Sequence, residues 1–247
     1  MSDVMVARAR LLPAHGRWPA DVDVWDIDLA GQPETQRHLD AAERARTARY
    51  LHLRDRVRFA GTRSVLRELL GAYLNESPSA LRFAVSGNGR PELAAGFGAL
   101  SFNVSHAGER ALAVVSRKRI VGIDIETRDP GLDWQPLTRL VCTAAEHAVL
   151  AAYDVDARRD AFLRCWTAKE AILKALGLGI AEGLLAVDTL SALARPRRPR
   201  VLDRGRFEAA RRLAFDWIED LAGYVACVSF AAEAADRSLT PTALPSA

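Results

Sequence analysis

The chain has 247 residues, of which 49% are apolar and 26% are charged, and its formal net charge is +3. This length supports one large domain or two small ones with hydrophobic cores, and the composition is ordinary for a globular protein. The positive balance suits anionic ligands or an acidic partner. It is too small to indicate nucleic-acid binding by itself.

The three cysteines, Cys142, Cys165 and Cys227, are far apart and form no CxxC pair. The sequence therefore predicts neither a disulfide framework nor a zinc site, and a reducing compartment is expected. Arginine and proline residues interrupt the N-terminal segment where a signal peptide would need an apolar stretch. No apolar run reaches membrane-spanning length, so we expect a soluble, cytoplasmic protein.

The N-terminal half predicts a strand, a long helical region and then further strands. Alternating apolar residues predict a strand at 22–29, and apolar residues spaced three and four apart predict helix from about 35 to 74. A short strand at 81–85 is followed by Ser-Gly-Asn-Gly at 86–89, which predicts a turn. The remaining strands expected in this region are 100–104, 111–116 and 120–125.

The second half repeats this order. VGIDIE at 121–126 resembles VWDIDL at 24–29. Helices are expected at 143–153 and at about 157–176, and Gly177 is expected to end the second of them as a C-terminal cap. The strands expected after these helices are 184–190, 213–218 and 224–230.

Each half thus contains a strand, helices and then more strands, which predicts a duplicated α+β unit with its seam near residue 120. We expect an N-terminal half of residues 1–120 and a C-terminal half of residues 121–235. Residues 236–247 are expected to form a flexible tail.

Two carboxylates lie two residues apart near the seam. Asp124 and Glu126 are expected on one face of their strand, and Val121, Ile123 and Ile125 on the opposite face against a core. Adjacent carboxylates repel each other unless a cation neutralises them, and Mg²⁺ prefers oxygen ligands. For this pattern alone, the solvated face of an amphipathic strand is the commoner explanation.

The helix expected at 157–176 carries a second polar group. Trp166, Glu170 and Lys174 are four residues apart and share one helical face. Glu170 and Lys174 could form an ordinary helix-stabilising pair, which is the commoner case. The alternative is that Glu170 completes a metal site and Lys174 meets a phosphate oxygen.

The segment FNVSHAG at 102–108 ends a strand with Ser105 and His106. A hydroxyl, an imidazole and nearby backbone N–H groups could bind phosphate. Nucleophilic catalysis is disfavoured because the chain has no G-x-S-x-G motif and adjacent strand residues point to opposite faces. A purely structural turn is equally compatible with this segment.

Arginines are concentrated between residues 44 and 67. Arginine binds phosphate well, but the solvated face of a helix is the usual explanation for such a run. Arg90 differs because it precedes Pro91 on a stiff turn. The arginines of the run are Arg44, Arg46, Arg49, Arg54, Arg56, Arg58, Arg63 and Arg67.

Taken together, these motifs resemble the Sfp-type 4′-phosphopantetheinyl transferases across residues 42–190. The matching segments are ERARTARYLHLRDRVRF (43–59), GRP (89–91), FNVSH (102–106), GIDIE (122–126) and W-x-x-KEA-x-x-K (166–174). The resemblance implies an α/β fold of the α+β type, in which two similar halves with pseudo-twofold symmetry bind coenzyme A between them. It implies transfer of 4′-phosphopantetheine to a serine of an apo acyl or peptidyl carrier protein, with release of adenosine 3′,5′-bisphosphate.

The resemblance also implies roles for individual residues. By similarity, Asp124, Glu126 and Glu170 would hold Mg²⁺, or Mn²⁺ as an alternative, against the pyrophosphate of coenzyme A. Lys174 would contact that pyrophosphate, and Asp124, Glu170 and Lys174 would be the catalytic residues. The remaining coenzyme A contacts implied are Arg46, Arg58, Arg90, Ser105 and His106.

A carboxylate must accept the proton of the attacking serine, and Glu170 and Glu146 are the two candidates. Thr143 and Glu146 match a helix capping box, which accounts for Glu146 without chemistry. We therefore predict that Glu170 is both metal ligand and base.

The resemblance implies a monomer that acts on coenzyme A and a carrier protein, with no nucleic-acid or membrane partner. One alternative is a non-catalytic coenzyme A or carrier-protein binding module with the same fold, which would not need three metal-binding carboxylates. Another is a nucleic-acid binding protein that uses the arginine helix. Residues 37–67 offer only Tyr50 and Phe59 as stacking aromatics, which disfavours this alternative.

Overall fold

A computed structural model describes residues 6–31, 35–85, 90–97, 100–192, 194–203 and 205–234. The turn expected at 86–89 and the tail expected at 236–247 lie outside these residues. Two antiparallel sheets pack face to face, and a long helix covers the outer face of each. The mixed α/β class expected from the sequence is confirmed.

The N-terminal half contributes the first sheet and its covering helix. Its elements in chain order are β1 (Ala9–Leu11), β2 (Asp23–Asp28), α1 (Ala41–Ala48), α2 (Leu53–Leu74), β3 (Phe83–Val85), β4 (Pro91–Leu93), β5 (Ser101–Ala107) and β6 (Arg110–Ser116). The sheet is antiparallel with strand order β1-β2-β6-β5, and β3 and β4 form a separate antiparallel pair.

The C-terminal half contributes the second sheet and its helix. Its elements are β7 (Val121–Thr127), α3 (Thr138–Val141), α4 (Ala144–Ala151), α5 (Val155–Leu176), α6 (Ile180–Gly183), β8 (Val187–Asp188), β9 (Arg200–Val201), a 3₁₀ turn (Glu208–Arg212), β10 (Leu213–Ile218) and β11 (Tyr224–Ala231). The sheet is antiparallel with strand order β10-β11-β7, and β8 pairs with β9.

The prediction of continuous helix from about 35 to 74 is wrong in one respect, because the structure divides this region into α1 and α2. A capping box formed by Asp40 and Glu43 begins α1. The backbone of His52 is extended, and α2 starts after it. No glycine or proline marks this break, so its sequence signal is weak. The strand expected at 184–190 is reduced to two residues, and β1 was not expected.

The core between the two sheets confirms the expected orientation of β7. Val121, Ile123 and Ile125 lie in this core, where they pack with residues of the first sheet such as Val24 and Leu112. The opposite face of β7 is therefore left for α5, because strand side chains alternate between faces.

Side chains of β5 connect the two sheets along β7. The Ser101 hydroxyl accepts a hydrogen bond from the Val121 N–H at 3.2 Å, and the side-chain amide oxygen of Asn103 accepts one from the Ile123 N–H at 3.0 Å. β7 is an edge strand of its sheet, and β5 side chains accept hydrogen bonds from two of its backbone N–H groups. Buried N–H groups need such acceptors, because an unpaired buried donor is costly.

Gly122 lets the backbone of α5 pack directly on β7. A Cβ at this position would lie 2.1 Å from the carbonyl oxygen of Ala171 and 2.5 Å from the nitrogen of Ala175. Only glycine is compatible with so close a contact between a strand and a helix.

Two further expectations can be compared with the structure. The three cysteines are buried and free, in agreement with the expected lack of disulfides. Gly177 caps α5 in the left-handed conformation with φ +67°, as expected. None of the described helices combines the length and the apolar character needed to cross a bilayer.

We predict that Gly122→Ala destabilises the protein by about 1–3 kcal/mol or more, because the added methyl group would force α5 away from β7. Gly61→Ala is the matched control. The Cβ at residue 61 would meet only the flexible end of Leu29 at 3.1 Å, and alanine favours the helix. Chemical denaturation of both variants measures the difference, and equal stability of the two would contradict the packing argument.

Candidate functional site

A cavity of about 360 Å³ opens where the two halves meet. The helices of the N-terminal half contribute one wall of mixed aromatic, apolar and basic character. Lining residues from α1, α2 and the segment between them are Arg46, Tyr50, Phe59, Thr62, Arg63 and Leu66.

The other polar lining residues of the cavity come from both halves, and three of these six residues are acidic. The cavity brings together six of the residues selected from the sequence, from β5, β7 and α5. They are Ser105, His106, Asp124, Glu126, Glu170 and Lys174. Asp124 is only 1% exposed, so its charge is held almost entirely inside the protein.

The ammonium group of Lys174 lies among the carboxylates. Its Nζ is 2.5 Å from Asp124 Oδ1, 3.2 Å from Glu170 Oε2 and 3.2 Å from Ser105 Oγ. The Ser105 hydroxyl donates to Asp124 Oδ1 at 2.7 Å, and the indole N–H of Trp166 donates to Glu170 Oε1 at 2.5 Å. The shared helical face of Trp166, Glu170 and Lys174 is therefore confirmed.

Burial and mutual repulsion disfavour the charged carboxylates. Burial, opposed in part by Lys174, raises the pKa of Asp124 to about 6. Burial and the charges of Asp124 and Glu170 raise the pKa of Glu126 to about 7. Burial lowers the pKa of the Lys174 ammonium, but Asp124 and Glu170 outweigh this effect and raise that pKa overall. The three carboxylates together therefore have too little positive charge around them, since Lys174 is the one cation among these four residues.

The donor set fits a hard divalent cation. Asp124 Oδ2 is buried and accepts no hydrogen bond from any described residue, so one carboxylate oxygen is available to a further cation. Among the described residues, no three acidic, histidine or cysteine side chains converge closely enough to hold a metal as they stand. Because the Lys174 ammonium contacts both Asp124 and Glu170, a metal would have to displace it from at least one of them.

The basic residues selected from the sequence are divided between two locations. Arg46 lines the cavity and lies over the ring of Phe59, with its guanidinium carbon 4.9 Å from the ring centroid. Arg58 is not among the lining residues. Its Nε donates to the Gly108 carbonyl at 3.0 Å, and its Nη1 lies 3.4 Å from Asp55.

His106 lines the cavity while keeping access to solvent. Partial burial in the cavity, and the nearby charges of Arg58, Lys174 and Arg46, lower its pKa. The imidazole is therefore more readily neutral than an ordinary histidine. An anion bound beside it would reverse this tendency, since a negative charge favours the protonated ring.

Arg90 has backbone partners instead of a place in the cavity wall. Its Nη1 donates to the carbonyl oxygens of Lys174 at 2.5 Å and Ala175 at 3.1 Å, and its Nη2 donates to that of Phe102 at 2.9 Å. Arg90 therefore connects the C-terminal end of α5 to β5. The coenzyme A contact expected of Arg90 stays a prediction.

Glu146 and Lys169 form a buried pair outside the cavity lining. Lys169 Nζ lies 2.5 Å from Glu146 Oε2 and donates to the carbonyl oxygens of Val141 and Leu184 at 2.6 and 2.7 Å. Glu146 also completes the expected capping box with Thr143. The pair joins α3, α4, α5 and α6, and the capping explanation of Glu146 is confirmed.

Sequence reasoning missed two residues that position this site. Asn103 connects β5 to β7, and Lys169 anchors α5 one residue before Glu170. A signal existed for each, because both polar residues lie within motifs selected for their neighbours. Their partners, however, are distant backbone groups that no local pattern reveals.

Comparisons with known proteins agree with this geometry. The family model of the 4′-phosphopantetheinyl transferase superfamily matches residues 120–229. The chain is 36% identical to the 4′-phosphopantetheinyl transferase HetI of Nostoc sp. over 169 residues, which span 66% of this chain and 71% of that protein.

Two further relatives match over shorter lengths. The chain is 35% identical to a putative 4′-phosphopantetheinyl transferase of Synechocystis sp., over 62% of each chain. It is 39% identical to the 4′-phosphopantetheinyl transferase AcpT of Salmonella typhimurium, over 41% of this chain and 52% of that protein.

We predict that Glu146→Gln lowers the free energy of unfolding by about 3–5 kcal/mol, because it leaves the Lys169 ammonium buried without a counter-charge. Adding Lys169→Met should recover part of this loss, since it removes the unpaired charge. The matched control is Glu182→Gln at an exposed ion pair with Arg206, where the loss should not exceed about 1 kcal/mol. A loss of that small size for Glu146→Gln, measured by chemical denaturation, would refute the assigned structural role.

The raised carboxyl pKa values predict that the metal-free protein loses stability as pH rises towards 8. With the pKa of Glu126 at about 7, the folded state holds a proton that the unfolded state has released above about pH 4.3. Stability therefore falls as pH rises through this window. Denaturation in EDTA at about pH 5.5 and about pH 8 measures the slope. Glu126→Gln should flatten it, and an unchanged slope in this variant would refute the assignment.

Proposed function

We propose, since this chain belongs to the 4′-phosphopantetheinyl transferase superfamily, that it transfers 4′-phosphopantetheine from coenzyme A to a serine of an apo-carrier protein. The acceptor is an acyl or peptidyl carrier protein, and the second product is adenosine 3′,5′-bisphosphate. The observation that carries the proposal is the cluster of the buried Asp124 with the half-buried Glu170 and Lys174 at a cavity between the two halves.

The proposed metal site consists of Asp124, Glu126 and Glu170. Mg²⁺, or Mn²⁺ in its place, would neutralise charge on the pyrophosphate of coenzyme A when bound. Asp124 Oδ2 has no hydrogen-bond partner among the described residues, and the pKa values of Asp124 and Glu126 are raised. Both observations support this assignment, because each indicates a need for further positive charge.

The proposed roles of the remaining polar residues follow from their positions. Lys174 would turn from Asp124 towards the phosphate, where its charge stabilises the negative charge that develops on the leaving group. Ser105 and His106 would donate to phosphate oxygens, and a bound phosphate would favour the protonated form of His106. Arg46, which is exposed beside the cavity, would bind the 3′-phosphate end.

The proton of the attacking serine must be removed as its oxygen bonds to the β-phosphorus and the bond to the leaving adenosine bisphosphate breaks. We assign this role to Glu170, which lines the cavity beside Lys174. Its competitor Glu146 is fully buried and bound to Lys169 and Thr189. A carboxylate without access to the cavity is poorly placed to accept a substrate proton.

The proposal also covers the internal duplication, the oligomeric state, the location and the partners of the protein. The helix-covered sheet of each half supports a duplicated unit with pseudo-twofold symmetry, divided at residues 1–120 and 121–235. The protein would act as a cytoplasmic monomer, with coenzyme A and a carrier protein as its partners. A non-catalytic binding module would not need three carboxylates close together, one of them buried, because their charges are costly to bury.

We predict that Glu170→Gln lowers kcat for transfer about 10²–10⁴-fold while coenzyme A still binds, because glutamine keeps an oxygen but cannot accept the proton. Asp124→Asn and excess EDTA should each abolish most transfer through loss of the metal. The assay measures phosphopantetheine incorporation into an apo-carrier at saturating coenzyme A and Mg²⁺, with binding measured separately by calorimetry.

The matched control is Glu219→Gln, a change at a half-exposed glutamate paired with Arg164 outside the cavity lining. It should leave transfer unchanged. Full activity of Glu170→Gln would overturn the base assignment, and full activity in excess EDTA would overturn the metal assignment.

A further inference from the structure

Three polar side chains meet on the surface of the N-terminal half, and none of them lines the cavity. His38 Nδ1 lies 3.1 Å from the hydroxyl oxygen of Ser79, and His38 Nε2 lies 3.3 Å from Glu68 Oε1. A serine, a histidine and a carboxylate in this order form the constellation of a nucleophilic serine, which is recognised by geometry and not by sequence position. His38 and Ser79 are 41 positions apart, so no local motif reveals their contact.

Glu68 determines which nitrogen of His38 carries the proton. An ionised carboxylate only accepts hydrogen bonds, so it favours the neutral imidazole with its proton on Nε2. Nδ1 then has a lone pair that can accept the proton of the Ser79 hydroxyl. The arrangement therefore places a base at the hydroxyl and an orienting carboxylate behind the base, as the activation of a serine requires.

The buried guanidinium of Arg67 fixes the segments that carry this group. Its Nη2 donates to Asp40 Oδ2 at 2.9 Å, two residues after the histidine. Its Nη1 donates at 3.0 Å to the carbonyl oxygen of Pro78, which immediately precedes the serine. Arg67 itself immediately precedes the glutamate in α2. One arginine without exposed surface thus holds together the three segments that meet at the group.

The backbone of His38 has an uncommon conformation. Its φ of +66° lies in the left-handed region, which residues other than glycine seldom occupy. The neighbouring residues keep it there, because Ser64 Oγ donates to the carbonyl oxygen of Arg37 at 2.7 Å and Leu39 is buried. Such conformations are concentrated at functional sites. Here the conformation directs an imidazole between a serine and a glutamate.

The serine hydroxyl is accessible and lies near a cation. Ser79 is exposed, and the side chains of His38 and Glu68 are 18% and 24% exposed, so a small molecule can approach the group. Arg82 Nη1 donates to the carbonyl oxygen of Ser79 at 3.0 Å. Negative charge that develops on an atom bonded to the serine oxygen would be stabilised by this nearby guanidinium.

We propose that Ser79, His38 and Glu68 form a second reactive site, at which Ser79 hydrolyses small activated esters. The serine oxygen bonds to the ester carbonyl carbon while its proton passes to His38 Nδ1. His38 gives this proton to the leaving alcohol as the ester bond breaks. A water molecule then attacks the acyl-serine and loses a proton to His38, and a carboxylic acid is released as that proton returns to the serine oxygen. Glu68 is a positioning residue, because it acts through His38.

A fluorophosphonate probe identifies the nucleophile directly. An activated serine oxygen bonds to the phosphorus of the probe, fluoride leaves, and the serine proton passes to the base. Peptide mapping by mass spectrometry should place the probe on Ser79. Ser77, an exposed serine two positions earlier in the same segment, is the matched control and should not be modified. Equal modification of the two serines, or none at Ser79, would overturn the proposal.

His38→Gly tests the base without straining the backbone, because glycine readily adopts the φ of +66° at this position. The variant should lower the rate of Ser79 modification about 10²–10⁴-fold, as expected for loss of a general base. Added imidazole should restore part of this rate, because a small base can enter the space that the side chain has left. A purely structural histidine predicts no such recovery. An unchanged rate in the variant, or no recovery with imidazole, would therefore contradict the assignment.

Hydrolysis of p-nitrophenyl acetate measures turnover. This ester also reacts with other side chains, so the serine-dependent rate is the difference between the wild-type protein and Ser79→Ala. Ser77→Ala should keep the wild-type rate. Equal rates for the wild-type protein and Ser79→Ala would refute the proposed hydrolysis.

A double-mutant cycle tests the positioning role of Glu68. Glu68→Gln removes the charge that orients the imidazole and should lower the serine-dependent rate in the wild-type background. It should have no further effect in the His38→Gly background, because residues that act as one unit are not additive. An equal loss in both backgrounds would contradict this role.

These measurements are independent of the proposed transfer reaction. The three residues do not line the cavity, so their variants should transfer phosphopantetheine to a carrier at the wild-type rate. A protein that transfers but does not react at Ser79 would retain the proposed function and lose the second site. A protein that reacts at Ser79 but modifies no carrier would retain the second site alone.

Discussion

The direct contact between the backbones of β7 and α5 is the constraint on which the candidate site depends. At Gly122 no side chain separates strand from helix, so Asp124 on the strand and Glu170 and Lys174 on the helix are brought within hydrogen-bonding distance. A displacement of the helix by the width of one methyl group would separate them. The glycine therefore acts on the chemistry through geometry alone.

Polar contacts fix this arrangement at two positions in the second half of α5. Lys169 anchors the middle of the helix through Glu146 and two carbonyl oxygens, and Arg90 connects its last turn to β5. Asn103 fixes β5 against β7 in turn. Lys169 and Asn103 are buried with their partners, so removing one partner costs more than the interaction itself contributes.

Holding the charged groups of the cavity close together is electrostatically unfavourable. Three carboxylates share one lysine, and burial raises the pKa values of Asp124 and Glu126. Such an arrangement is unfavourable for the isolated protein, and a bound cation would make it less so. Sites prepared for a charged ligand commonly have this property, because the perturbed pKa values report the charge that the ligand supplies.

Local periodicity predicted the parts of this site that depend on one element. The two-residue spacing of Asp124 and Glu126 predicted their shared face, and the four-residue spacing of Trp166, Glu170 and Lys174 predicted theirs. Contacts between distant segments could not be predicted this way. Two of the three backbone partners given above for Arg90, the carbonyl oxygens of Lys174 and Ala175, lie 84 and 85 positions away in the sequence.

The break between α1 and α2 was missed for a related reason. Residues 49–52 contain no helix breaker, and the chain direction there is set by tertiary contacts, among them the ion pairs of Arg67 with Asp40 and Glu43. A fully buried arginine reads in the sequence as one more member of a basic run. Only its position shows that it joins the start of α1 to the middle of α2.

The most direct test of the central claim is the intact mass of an apo-carrier protein after incubation with this protein, coenzyme A and Mg²⁺. The account predicts that an acyl or peptidyl carrier gains the mass of one phosphopantetheine group on its serine, and that the gain disappears when EDTA replaces Mg²⁺. Coenzyme A binding without a mass gain on any carrier of a broad panel would contradict it.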